Sequence, residues 1–259
     1  ITVDGGNSLS TFSNIGQTNT YLADTVTTFN AGTFGGNITV GVADDKFDDT
    51  VTITGSSTST KDSVTAKYAT TGTYKPKTVG VEELLINVTG GSAKTGTLDL
   101  TNTTGVTKVT AIVGAADTLI IDNAIDQSVK VTDTAGSDSV IEYKLKDATG
   151  STDAVTFEIK EGTTFTAGTQ LKTTDIETVT VKLSDHAESI SLANLSMTDA
   201  DATMSLLVTG DQALTVSATN ADINVIDASG MGDGGSFIQT GRSRTTAVTY
   251  TGSDGDDTF

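Results

Sequence analysis

The sequence predicts an all-β fold, on three observations. Thr makes up roughly a fifth of the 259 residues, it alternates with Val, Ile and Leu in short runs, and no stretch sustains a 3.6-residue period. β-Branched side chains lose rotamer freedom in a helix and pack well on a pleated surface. The runs follow in order: Thr50 to Thr54, Leu84 to Val88, Val106 to Val113, Leu119 to Ile121, Val129 to Val131, Ala154 to Ile159, Val179 to Leu183, Leu206 to Val208, Leu214 to Val216 and Ile223 to Ile226. Each is short enough for a strand, and Gly, Asp, Asn and Ser separate them as turn formers. The stretch from Ala187 to Ala200 reads as a loop with at most one helical turn. Val208, Val216 and Val225 lie 8 and 9 residues apart, too close for most parallel crossovers unless the chain winds as a solenoid. A hairpin meander gives the same spacing, so periodicity leaves both architectures open.

Internal comparison points to tandem repetition. Val81 to Val88 reads like Ile176 to Leu183, Leu98-Asp99-Leu100 like Ile190-Ser191-Leu192, Leu119 like Leu214, and Val131 to Gly136 like Val225 to Gly230. Four matches in one order at nearly constant offset predict a repeat of roughly 90 to 95 residues. The expected division is the end of a preceding repeat over 1–43, a first β-repeat over 44–133, a second over 134–228, and connecting strands with the start of a calcium-binding turn over 229–259. The chain thus reads as a slice of a longer array.

Composition excludes several functions. Thirty-three acids against 15 bases give a net charge of -18, and Arg242 and Arg244 are the only arginines. Phosphate affinity comes from Lys and Arg, so no nucleic acid or anionic membrane is expected as a partner. No apolar run reaches the roughly 20 residues of a transmembrane segment, and no basic start followed by an apolar stretch marks a signal peptide. With no Cys, disulfides, thiolate metal sites and cysteine nucleophiles are out.

The acids gather at the repeat junctions. Asp44, Asp45, Asp48 and Asp49 lie within ten residues, Asp133 and Asp138 flank Gly136, Asp227 and Asp233 surround a Gly-rich turn, and Asp254, Asp256 and Asp257 close the chain. Like charges so dense repel unless a cation sits among them, and oxygen ligands in flexible Gly-containing loops suit Ca²⁺ better than Mg²⁺. These eleven aspartates are the candidate metal ligands. Gly252 to Phe259 fits the nonapeptide Gly-Gly-x-Gly-x-Asp-x-U-x at two of its Gly, its Asp and its large apolar residue, with Ser253 in place of the second Gly.

Val208-Thr209-Gly210 with Leu214-Thr215-Val216, then Val225 to Ser229, then Thr251 to Asp257, resemble RTX-type, calcium-binding surface-layer proteins of Gram-negative bacteria, of the kind carried by Caulobacter and Campylobacter. The resemblance covers about two thirds of the chain. It implies a parallel β-solenoid-like spiral stabilised by Ca²⁺, with stacked β-sandwich modules as the alternative. It also implies type I secretion, a cell-surface location, and self-assembly with other copies into a lattice, with cell-surface glycan or lipopolysaccharide as a further partner. A stalk or ligand-binding module of an RTX adhesin is the second reading.

No catalytic set is expected. His186 is the only imidazole, and Gly-x-Ser-x-Gly, Walker and His-Glu-x-x-His motifs are absent. A calcium-dependent solenoid polysaccharide lyase would rest on Arg242 and Arg244, which read more simply as solvated turn cations. The chain is therefore read as no enzyme. The bases cluster at Lys61, Lys67, Lys75 and Lys77, around the lone Pro76, while none occurs from Leu183 to Gly241. That clustering predicts a protruding loop that meets an acidic surface of a neighbouring copy.

Overall fold

A computed structural model describes residues 1–4, 21–22, 24–91, 93–135, 138–160, 170–184, 190–192, 194–198, 203–216, 223–232, 234–240 and 247–259. The chain is all-β and winds into a parallel β-solenoid of about eight turns. The longest sheet has ten strands, stacked in sequence order: Thr39–Gly41, Ser63–Tyr68, Glu83–Val88, Lys108–Gly114, Ser128–Ala135, Ala154–Lys160, Thr178–Ser184, Met204–Gly210, Ile223–Met231 and Thr249–Thr251. A second, six-stranded sheet holds Gly72–Tyr74, Thr95–Asp99, Thr118–Ala124, Val140–Leu145, Gln170–Thr174 and Asn194–Thr198. A five-stranded sheet (Thr2–Asp4, Thr28–Thr33, Thr52–Thr54, Lys77–Val79, Thr103–Thr104) and a three-stranded one (Ile190–Leu192, Leu214–Val216, Phe237–Gln239) serve the earlier and later coils.

Among the described strands every pairing is parallel, which decides between solenoid and hairpin. A meander or sandwich would join sequence neighbours antiparallel. Here each strand inside a sheet bonds to the strand one coil before and the strand one coil after, and the end strands to one of these. Partner residues lie between 19 positions apart, as for Met204 and Ile223, and 30 apart, as for Val140 and Gln170.

The register explains why apolar residues alternate. Val40, Val64, Leu84, Val109, Val129, Phe157, Val181 and Val208 are successive partners across the long sheet, and all are fully buried. One residue further along each strand, Thr65, Leu85, Thr110, Lys130, Glu158, Lys182 and Thr209 form the outward row. Each inward side chain contributes about 1.5–3 kcal/mol by leaving water. A one-residue slip would turn the entire row outward, so the register is strongly specified.

Two of the four internal matches fall within the long sheet, while Leu98 and Leu119 lie in the six-stranded sheet and their counterparts Ile190 and Leu214 in the three-stranded one. Glu83–Val88 and Thr178–Ser184 are four steps apart in the long sheet, as are Ser128–Ala135 and Ile223–Met231. The unit of the architecture is the single coil, so a period near 95 residues spans four of them. Within 187–200 the sequence suggests a loop, but Ile190–Leu192 and Asn194–Thr198 are strands whose Ile190, Leu192, Leu195 and Met197 point inward. Their alternation covers too few residues to stand out from a polar neighbourhood. A 3₁₀ turn at Leu100–Asn102 is the one helical departure among the described residues.

Corners are tight. Gly55, Gly80 and Gly105 stack at one corner of three successive coils: a Cβ on Gly55 would stand 1.9 Å from the Gly80 carbonyl oxygen, and one on Gly105 would stand 3.1 Å from Gly80 Cα. Gly80 and Gly105 also adopt positive φ, which L side chains disfavour.

Candidate functional site

The aspartates marked out as metal ligands divide by what they touch. Asp44 faces Lys67 at 3.3 Å. Asp45, itself at φ 59, accepts the Ala69 and Thr70 amides at 2.8 and 3.1 Å and the Tyr74 hydroxyl at 2.6 Å. Burial pushes the Asp45 carboxyl up, but these bonds outweigh it and hold the group below its ordinary value. Burial and the same carboxylate push the Tyr74 hydroxyl up to about 12, so it stays a donor. Tyr74 in turn lies flat on Tyr68, with ring centroids 3.7 Å apart. Asp48 closes a local turn on the Thr50 amide and hydroxyl, and Asp227 does the same with Ser229. The Asp49 carbonyl accepts Lys77 Nζ at 2.7 Å.

Asp138 is exposed at φ 66, and Asp254 and Asp256 are exposed. Asp257 accepts the Phe237 amide of the preceding coil, the Ser253 amide and the Ser253 hydroxyl at 2.7, 2.7 and 2.8 Å. Burial raises its carboxyl and these bonds lower it further, for a net fall. Asp133 occupies the strand Ser128–Ala135 opposite Ile112. Its side chain, Asp233, Gly136, His186, Arg242 and Arg244 lie outside the described residues. Among the described residues no three His, Cys, Asp or Glu side chains converge as a metal group. Asp45, Asp48, Asp227 and Asp257 spend carboxylate lone pairs on N–H and O–H donors of the chain itself.

The expected protruding lysine loop takes a different form. Lys75 pairs with Asp99 at 2.9 Å and Lys77 holds the Asp49 carbonyl, while Pro76 is buried between them. Residues 74–79 alternate inward and outward as part of the coil wall. Both side chains are exposed, and each reaches an acceptor of its own molecule because the coils on either side bring one within reach.

Stacking also assembles groups that are far apart in sequence. Asp99 and Asp122 are register partners, and Asn123 donates to both at 2.9 and 3.3 Å. Glu142 meets Lys144 and Lys172 at 3.4 and 3.0 Å. Lys130 pairs with Glu158 at 3.3 Å. Burial raises the Glu158 carboxyl, but Lys130, aided by Lys108 and Lys182, brings it below its ordinary value. Asp62 and Asp117, neither singled out from sequence, are buried at corners, where their carboxylates accept backbone amides. A cleft of about 400 Å³ beside Ile125, Asp126, Leu145 and Asp153 holds carboxylates but no nucleophile and base in hydrogen-bond contact.

Among the described residues no helix is long and apolar enough to cross a membrane. Comparison with protein-family models, curated proteins and solved structures finds no match.

Proposed function

We propose that this chain is a structural module of a secreted bacterial surface-layer protein, which assembles with its own copies into a cell-surface lattice. The observation that supports this reading most directly is the ten-stranded parallel stack, whose outward row sets Lys130, Glu158, Lys182 and Thr209 on successive strands at the spacing of about 4.8 Å. A rigid rod with periodic faces suits lateral packing. The resemblance of Thr251 to Asp257 and its preceding strands to RTX-type surface-layer proteins supplies secretion and location. In this reading calcium acts between molecules, screening copies of net charge -18 that otherwise repel. The test is electron microscopy of the purified chain with and without millimolar Ca²⁺. Calcium-dependent sheets are expected; isolated rods under both conditions would overturn the lattice and favour an adhesin stalk.

A further inference from the structure

We infer that glycine–aspartate pairs brace the corners of this solenoid, and that coil stacking therefore needs no bound calcium. Three corners carry the argument. Asp62 is fully buried; one carboxylate oxygen accepts the Ile38 amide of the preceding coil at 2.9 Å, and the other accepts the Ser56 amide of its own. Asp117, 1% exposed, accepts the Lys94 and Gly90 amides of the preceding coil at 2.7 and 3.2 Å. Asp257 accepts Phe237 from the preceding coil and Ser253 from its own.

Beside each carboxylate stands a glycine whose missing Cβ makes the approach possible. A Cβ would lie 2.6 Å from Asp62 Oδ2 on Gly55, 2.8 Å from Asp117 Oδ2 on Gly114, and 2.5 Å from Asp257 Oδ2 on Gly252. The glycine precedes its aspartate by 7, 3 and 5 residues respectively (62 − 55, 117 − 114, 257 − 252). Two glutamates extend the scheme to the next coil, Glu82 accepting the Asp62 amide at 2.7 Å and Glu177 the Asp153 amide at 2.6 Å.

The chemistry of these oxygens argues against a cation at the same place. Corner amides have no strand partner, and a buried N–H left unpaired is costly. A carboxylate accepting two or three such N–H groups is stabilised in its charged form by the positive ends of their dipoles. A Ca²⁺ drawn to those oxygens would face the same positive ends, and it needs six to eight oxygens where each corner supplies two from its aspartate. The Gly and Asp density at the coil corners thus has a source in backbone satisfaction. This inference concerns the fold alone and stands or falls separately from lattice assembly.

The experiment uses the whole chain at a concentration where it is monomeric. Thermal melts and amide exchange are compared in millimolar Ca²⁺ and in chelator. The expected result is the same melting temperature in both, with the Ile38, Gly90, Lys94 and Phe237 amides protected in chelator. Asp117→Asn should lower the melting temperature by about 5–10 °C and expose the Gly90 and Lys94 amides, as should Gly114→Ala, which displaces the carboxylate without removing it. The double variant Asp254→Asn/Asp256→Asn should change neither. A calcium-induced rise of about 5 °C or more, abolished by that double variant, would overturn the inference. So would full protection of Gly90 and Lys94 in Asp117→Asn.

Discussion

Asp99 illustrates how one side chain joins three coils: it accepts the Thr101 amide and hydroxyl in its own coil, Lys75 from the coil before and Asn123 from the coil after. Burial raises its carboxyl, but Thr101 and Lys75 outweigh burial and hold the group at about 2. A carboxyl whose folded value lies below its unfolded value, about 3.9, adds stability above that pH. The contribution is lost as pH falls toward about 2. Asp45 and Asp257 shift in the same direction, so stability should decline with acid across that window, as read by denaturant unfolding at stepped pH. Glu82 works the other way: burial raises its carboxyl, so its contribution is present below its ordinary value and fades as pH rises through the folded one. Removing the Lys75 cation, as in Lys75→Met, should move the Asp99 titration upward in a carbon-detected NMR experiment. An unmoved midpoint would assign the whole effect to Thr101.

At the scale of the coil, glycine positions separate two kinds of constraint. Gly91 has φ +76 and open space within 4 Å of where a Cβ would stand, whereas Gly55 lacks a positive φ but faces the Gly80 carbonyl at 1.9 Å. Gly91→Ala should cost about 1–2 kcal/mol from backbone conformation alone. Gly55→Ala should cost about 3 kcal/mol or more, because backbone must shift. Gly230 lies inside the strand Ile223–Met231, where a Cβ would stand 2.8 Å from Thr209 Cγ2. Gly230→Val should therefore cost more than Thr180→Val, on the outward face of Thr178–Ser184 between the buried Val179 and Val181, measured by chemical denaturation. In the inward row, Phe157→Ala should cost about 3–5 kcal/mol by opening a cavity between Val129 and Val181, against about 0.5 kcal/mol or less for Lys182→Ala. Equal losses at Phe157 and Lys182 would show the register to be wrong.

Across the whole molecule, each coil contacts chiefly the coils beside it, so stability is close to a sum of coil and interface terms. The strand Thr249–Thr251 is exposed along its length and pairs on one side with Ile223–Met231. Amide protection should fall from Lys108–Gly114 and Ser128–Ala135 toward that end, and uniform protection would contradict nearest-neighbour coupling. Coil stacking also explains which strands are legible in the sequence. Glu83–Val88 and Thr178–Ser184 alternate over six or seven residues and read as strands at once. Gly72–Tyr74 and Phe237–Gln239 have three residues each, too few for a pattern to stand out; they become strands because a neighbouring coil supplies a partner, Thr95–Asp99 for the first and Leu214–Val216 for the second. Asp62 and Asp117 carry no comparable signal, because their amide partners Ile38 and Lys94 lie 24 and 23 residues away.

The amino-acid sequence by itself determined that the chain is all-β, that its acids and glycines punctuate short strands, and that it lacks cysteine chemistry. Those properties follow from local composition and from periodicities a few residues long. Tertiary structure alone decided that the strands stack in parallel, that Lys75 and Lys77 find acceptors on their own molecule, and that buried aspartates hold corner amides. The reason is distance along the chain: each of these contacts joins residues about one coil apart, and only the winding of the backbone brings them within hydrogen-bond reach.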